Sequence, residues 1–104
     1  SDDMFIVRGV NVYPSHIDEI LSRQKGIATE YQIHLDRLED GKDYLTVKVE
    51  REKDGDAGRD AALASAIEKT IRKETLVSGK VDIVDYQSLP RTERKAKRVF
   101  DRRG

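Results

Sequence analysis

The chain has 104 residues, and its 20 Lys+Arg balance its 20 Asp+Glu to a formal net charge of zero. That length bounds one small domain with a single modest core, short of what a complete substrate-binding enzyme normally needs. With no cysteine, disulfides, thiolate catalysis and Cys-based zinc sites are excluded, a reducing cytoplasmic setting is expected, and no apolar run approaches the roughly 20 residues of a membrane span.

Ser1-Asp2-Asp3 is acidic where a secretory signal would begin with cations, and the internal Met4 fits a sequence cut from a longer protein. Met4 to Val12 is apolar and β-branched, broken at Arg8-Gly9. It predicts two short strands around a tight turn, because Gly adopts backbone angles that other residues resist. Pro14 and Ser15 open a helix, with Ser15 and Asp18 spaced as a capping box. Ile17, Ile20 and Leu21 form its apolar stripe, and Gly26 is expected to end it.

Glu30 to Arg37 alternates, with Tyr31, Ile33 and Leu35 on one face and Gln32, His34 and Asp36 on the other. Asp43 to Glu50 alternates again, with Leu45, Val47 and Val49 inward, and Asp40-Gly41 supplies the turn between them. Asp54-Gly55-Asp56 reads as a loop. A second helix follows over about Arg59 to Glu74. Leu63, Ile67 and Ile71 with Ala66 and Thr70 make its core stripe, and Gly79 is its stop. Val81 to Tyr86 is a further strand. Val99-Phe100 is a short apolar element within a basic tail. The fold class is α+β: a small N-terminal hairpin, a three-stranded sheet with two helices on one face, and a basic C-terminal loop and tail.

The zero charge is a cancellation. Arg91 to Gly104 holds seven basic and two acidic residues, a surplus of +5, which leaves −5 for Ser1 to Pro90. Composition alone reads this tail first as solvated, then as a phosphate-binding or nucleic-acid-binding segment. His16 and His34 read as exposed surface histidines. Asp18-Glu19 reads as a helix N-terminal turn and Glu39-Asp40 as a hairpin turn. Tyr31 reads as core. Tyr44, beside Thr46 and Lys48, is a lone candidate for base stacking, which is weak support for an RNA-binding sheet.

Three blocks carry a resemblance. Asp2 through Ser15 (DDMFIVRGVNVYPS) is similar to the segment after the interdomain hinge of adenylate-forming acyl-coenzyme A ligases. Ile17-Asp18-Glu19-Ile20-Leu21 resembles their first C-terminal helix, and Leu89 through Val99 (LPRTERKAKRV) resembles their catalytic-lysine loop. The phenylacetate–coenzyme A ligases resemble it most, over essentially the whole chain. The resemblance implies that residues 1–104 are one C-terminal lid domain whose partner is an N-terminal adenylation domain. It implies Lys95 as the loop lysine for acyl-adenylate formation and Asp2 as the hinge. Arg8, Gly9 and Val10 would be the turn that lines the coenzyme A channel after rotation. ATP, Mg2+ and coenzyme A are the implied cofactors of the whole enzyme, none of them held tightly by this domain alone. Arg94 stands where the family usually has Gly before the lysine.

Alone, such a domain is expected to be inactive. The alternative expectation is a ferredoxin-like regulatory or nucleic-acid-binding module using the basic tail, with nucleic acid the less favoured partner. A homodimer through the polar sheet face and Phe5 is a third.

Overall fold

The computed structural model describes residues 3–91 and 97–104. Strands β1 (Phe5–Val7) and β2 (Val10–Val12) pair antiparallel as a separate two-stranded sheet. Helix α1 (Pro14–Ser22) follows, then β3 (Ile27–Arg37) and β4 (Asp43–Arg51), a 3-10 turn, helix α2 (Asp60–Thr75), β5 (Lys80–Val84) and β6 (Val99–Asp101). The main sheet runs β5-β4-β3-β6. Its central pair is antiparallel, and β5 and β6 each join parallel to their neighbour.

The α+β architecture, the N-terminal hairpin and the two helices follow the sequence pattern. Period-2 alternation puts Tyr31, Ile33, Leu35, Leu45, Val47 and Val49 on one buried face. Ile17, Ile20 and Leu21 of α1 and Ile67 and Ile71 of α2 close over that face in one cluster, joined by Phe5, Val7 and Val12 of the hairpin. The sheet has a fourth strand where three were expected. Val99 pairs with Ile33 and Phe100 with His34, so the short apolar element in the tail is an edge strand. Three residues between basic neighbours carry too little local signal; the parallel partner on β3 makes them a strand.

Element ends differ from expectation in physically informative ways. Helix α1 is capped at Tyr13 with Pro14 at its first position, and no side chain caps it, so Ser15 and Asp18 form no capping box. Asp18-Glu19 consequently lies inside the helix, and the first turn has no acid. The helix ends at Arg23, three residues before Gly26, whose φ of +91° instead starts β3's approach. Helix α2 ends at Leu76 in the left-handed conformation (φ 66°), with its N–H on the Arg72 carbonyl at 3.0 Å. Gly79 is not the stop. It sits where an added Cβ would meet the Leu45 side chain at 3.0 Å. Along α2, Ala64 packs on the core and Ala66 is exposed.

Leu76 is 67% exposed, so it gains little burial for its left-handed backbone. Leu76→Gly is therefore expected to stabilise the domain by about 0.5–1 kcal/mol, a rise in melting temperature of about 4 °C by calorimetry.

Candidate functional site

The β1–β2 turn places two of its residues at positive φ, Arg8 at 46° and Gly9 at 79°. Such two-residue turns match the twist of their strands and favour Asn-Gly, so Arg8 carries roughly 1 kcal/mol of backbone strain. Its side chain offsets that strain by donating from Nη1 to the Asp43 carbonyl and from Nη2 to the Ser78 carbonyl at 2.6 Å. Nothing lies within 4 Å of where a Gly9 Cβ would sit, so the turn faces open space. Beside it a groove of about 730 Å3 runs between Val7, Arg8, Val10, Tyr44, Ser78 and Lys80.

At the far end of β4 lies Glu50, a fully buried carboxylate on the sheet face opposite the core. It accepts from the backbone N–H of Gln87 at 2.9 Å and of Leu89 at 3.0 Å. The Arg91 guanidinium forks onto both its oxygens, with Nη2 to Oε1 at 2.8 Å. Arg91 and the two amides hold the Glu50 carboxyl down at about 2, against the burial that would raise it. Gln87 adopts φ 67° in the turn closed by Ser88 N–H on the Asp85 carbonyl. Glu50 thus fixes a strained segment that leads directly into residues 92–96. Past those residues, Arg98 pairs with Glu30 at 3.1 Å, donates to the Tyr31 carbonyl at 3.1 Å and lies 4.5 Å over the Tyr31 ring.

The described part of the tail is tied down by ion pairs, where composition suggested a free, solvated segment. Arg102 forks onto Asp36 at 2.8 and 2.9 Å. Arg103 engages Asp43 at 2.9 Å and Asp101 at 3.0 Å. Lys97 sits 4.8 Å over the Phe100 ring. Most of the described tail cations therefore meet carboxylates of β3, β4 or β6. A parallel edge strand delivers them there, a placement that charge counting along the chain does not contain.

His34 is buried, not exposed. Phe100 stacks on it at 5.0 Å, and its ring nitrogens meet Gln32 at 2.9 Å and Arg102 at 3.0 Å. Burial first, then Arg102 and Lys48, push its pKa below the ordinary value. His16 reaches Glu74 at 3.3 Å, and with Glu19 these groups come within 4.8 Å of one another. Arg23 already occupies that cluster, at 2.6 Å from Glu19 and 2.7 Å from Glu74, so it is an ion-pair network. Tyr31 is core as expected, and the Tyr44 hydroxyl donates to Asp40 in the hairpin turn at 2.9 Å.

Of the residues singled out in the sequence, Arg8 and Gly9 form the hairpin turn and Val10 begins β2. Asp2, Arg94 and Lys95 lie outside the described residues. The functional groups that sequence reasoning missed are Asp43 and Glu50. Each read as one more charge on an alternating strand; apart from Arg37, six residues from Asp43, their partners are 35 to 60 residues away.

Comparison with known proteins matches residues 9–103 to the AMP-binding enzyme C-terminal domain. The chain belongs to that family. It is 39% identical to the phenylacetate-coenzyme A ligase of Aromatoleum evansii over 99% of its own length and 24% of that ligase's. The chain thus spans about a quarter of the curated relatives it matches. A crystal structure of a domain of phenylacetate-coenzyme A ligase from Bacteroides vulgatus superimposes with a TM-score of 0.87 at 37% identity, covering 99% of this chain and 95% of that one. A 2-hydroxyisobutyryl-CoA ligase in complex with 2-HIB-AMP and CoA in its thioesterification state matches with a TM-score of 0.87 at 33% identity, over 98% of this chain and 22% of that one.

No described helix of this AMP-binding enzyme C-terminal domain is long and apolar enough to cross a membrane. Its acid response should report Glu50. A carboxyl held at about 2 instead of 4.5 stabilises the fold fully above pH 4.5 and loses that contribution as the pH falls toward 2. Arg91 is partly exposed and can return to water, so Glu50→Gln should cost about 2 kcal/mol, or roughly 10 °C in melting temperature. In thermal melts from pH 7 to 2, the gap between wild type and variant should be constant above pH 5 and close below 4.5. A gap that does not change with pH would contradict the buried ion pair.

Proposed function

We propose that this domain is the mobile C-terminal lid of an ATP-dependent ligase that joins phenylacetate, or a related aryl acid, to coenzyme A through an acyl-adenylate. The observation that carries the reading is the two-ended layout of β4. A strained, solvent-facing turn sits at one end and the tethered stem of the lysine loop at the other, on a domain similar to one in a ligase complexed with an acyl-adenylate and CoA. Nine residues of strand separate the two ends by about 26 Å at roughly 3.3 Å per residue. That separation supports a rotation of the domain between the two steps.

In the first step the acid's carboxylate attacks the α-phosphate of ATP and pyrophosphate leaves. Lys95 supplies a cation toward the charge that builds there, and this is worth most in a closed site from which water is excluded. In the second step the coenzyme A thiol attacks the acyl carbonyl and AMP leaves. Gly9, without a side chain, lets the Arg8-Gly9-Val10 backbone approach the pantetheine arm, and the adjoining groove gives the ligand room. Asp2 is the hinge. ATP and Mg2+ are assigned to the N-terminal adenylation domain, of the same or a companion chain. The site of action is the cytoplasm, in keeping with the cysteine-free sequence.

In the full-length ligase, Lys95→Ala should slow pyrophosphate release by roughly 100- to 1,000-fold and leave thioester formation from preformed acyl-adenylate within about twofold. Equal loss in both half-reactions would refute the assigned role.

A further inference from the structure

Asp43 is the meeting point of three arginines. Its carbonyl accepts from Arg8 in the turn. Its carboxylate accepts from Arg37 Nε at 2.8 Å and Arg103 Nη1 at 2.9 Å. That same Arg103 nitrogen donates to the Ile6 carbonyl in β1, while Nε and Nη2 grip Asp101 at 3.0 Å each. Arg103 lies one residue from the chain's last position, yet its side chain is only 14% exposed. The N-terminal hairpin, the start of β4 and the end of β6 are therefore tied at one node.

The turn depends on that node. An isolated two-stranded hairpin is marginal in water. Phe5, Val7 and Val12 seat the strands in the core, but Arg8 and Gly9 are exposed. Their position rests on polar ties, Arg8 to Asp43 and Ser78 and Arg103 to Ile6. The Arg8 tie runs to the Asp43 main chain, so the side chains of Asp43 and Arg103 act on the turn through β1, by the Arg103 bond to the Ile6 carbonyl two residues before Arg8.

We propose that Asp43 and Arg103 are positioning residues for the thioester-forming half-reaction. They touch no ligand. They fix the Arg8-Gly9 turn, and through it the wall of the coenzyme A channel. The inference rests on the reading of that turn given above. Glu50, seven residues along β4 and about 23 Å away, anchors the other end independently. Loosening Asp43 should therefore leave adenylation intact, whereas a merely structural role would lower both steps together.

The test uses the full-length ligase with Asp43→Asn, Asp43→Glu and Arg103→Lys. Single-turnover thioester formation from preformed acyl-adenylate and pyrophosphate release are measured on the same preparations, with Gly9→Ala as reference. Asp43→Asn and Arg103→Lys are expected to slow thioester formation roughly ten- to a hundredfold with pyrophosphate release within about twofold. Asp43→Glu, which keeps the charge, should recover part of the loss. Equal decline in both steps, or unchanged thioester formation while Gly9→Ala is slow, overturns the positioning role and leaves the turn's role standing. Normal thioester formation in Gly9→Ala overturns the role of the turn itself. Should Asp43→Asn fail to fold, Arg103→Lys decides the same question.

Discussion

Strand β4 carries, at its start and next to its end, a carboxylate that arginine holds ionised. Asp43 sits at its start, kept below the usual carboxylate range chiefly by Arg37 and also by Arg103. Glu50 sits near its end, kept down by Arg91. The rest of the domain is arranged around these two charges. A buried carboxylate without a partner is strongly destabilising, so each fixes wherever its arginine comes from. Two of these arginines, Arg91 and Arg103, come from the tail, while Arg37 ends β3. The +5 segment is thereby folded onto the −5 body, and the separation of charge along the sequence becomes closure of the domain in space.

That closure has consequences for what the ends of β4 can do. Glu50 determines the path of Gln87 to Arg91, including a residue at positive φ, immediately before residues 92–96. Asp43 determines where the hairpin turn stands. The core between them is ordinary: alternating apolar residues of two strands under two amphipathic helices. It keeps the two distant anchors in a constant relation, which is what the proposed use of both ends in turn would require.

The regular elements were legible because their signals are local. Tyr31, Ile33 and Leu35 announce a strand by alternation, Ile67 and Ile71 announce a helix by spacing, and Asp40-Gly41 announces a turn. Helix ends were less legible. Tyr13 and Leu76 terminate helices although neither is a usual capping residue, and tertiary packing overrides the preference. The edge strand Val99–Asp101 was missed because its partner on β3 is about 66 residues away. His34 is buried only because that strand lays Phe100 over it. The turn at Arg8-Gly9 was visible, since glycine between β-branched residues has few other uses, but the node that holds it was not. Asp43 looks like any polar residue after a turn until Arg103, at the other end of the chain, is brought to it.

The central claim is that the two ends of this domain are used in succession. Hydrogen exchange read by mass spectrometry on the full-length ligase addresses it directly, with a non-hydrolysable acyl-adenylate analogue bound, first without and then with coenzyme A. Peptides covering residues 5–12 and 87–98 report the two ends of β4. The account predicts that protection on 87–98 in the adenylate complex falls when coenzyme A is added, and that protection on 5–12 rises. The same peptides protected to the same degree in both complexes would contradict it.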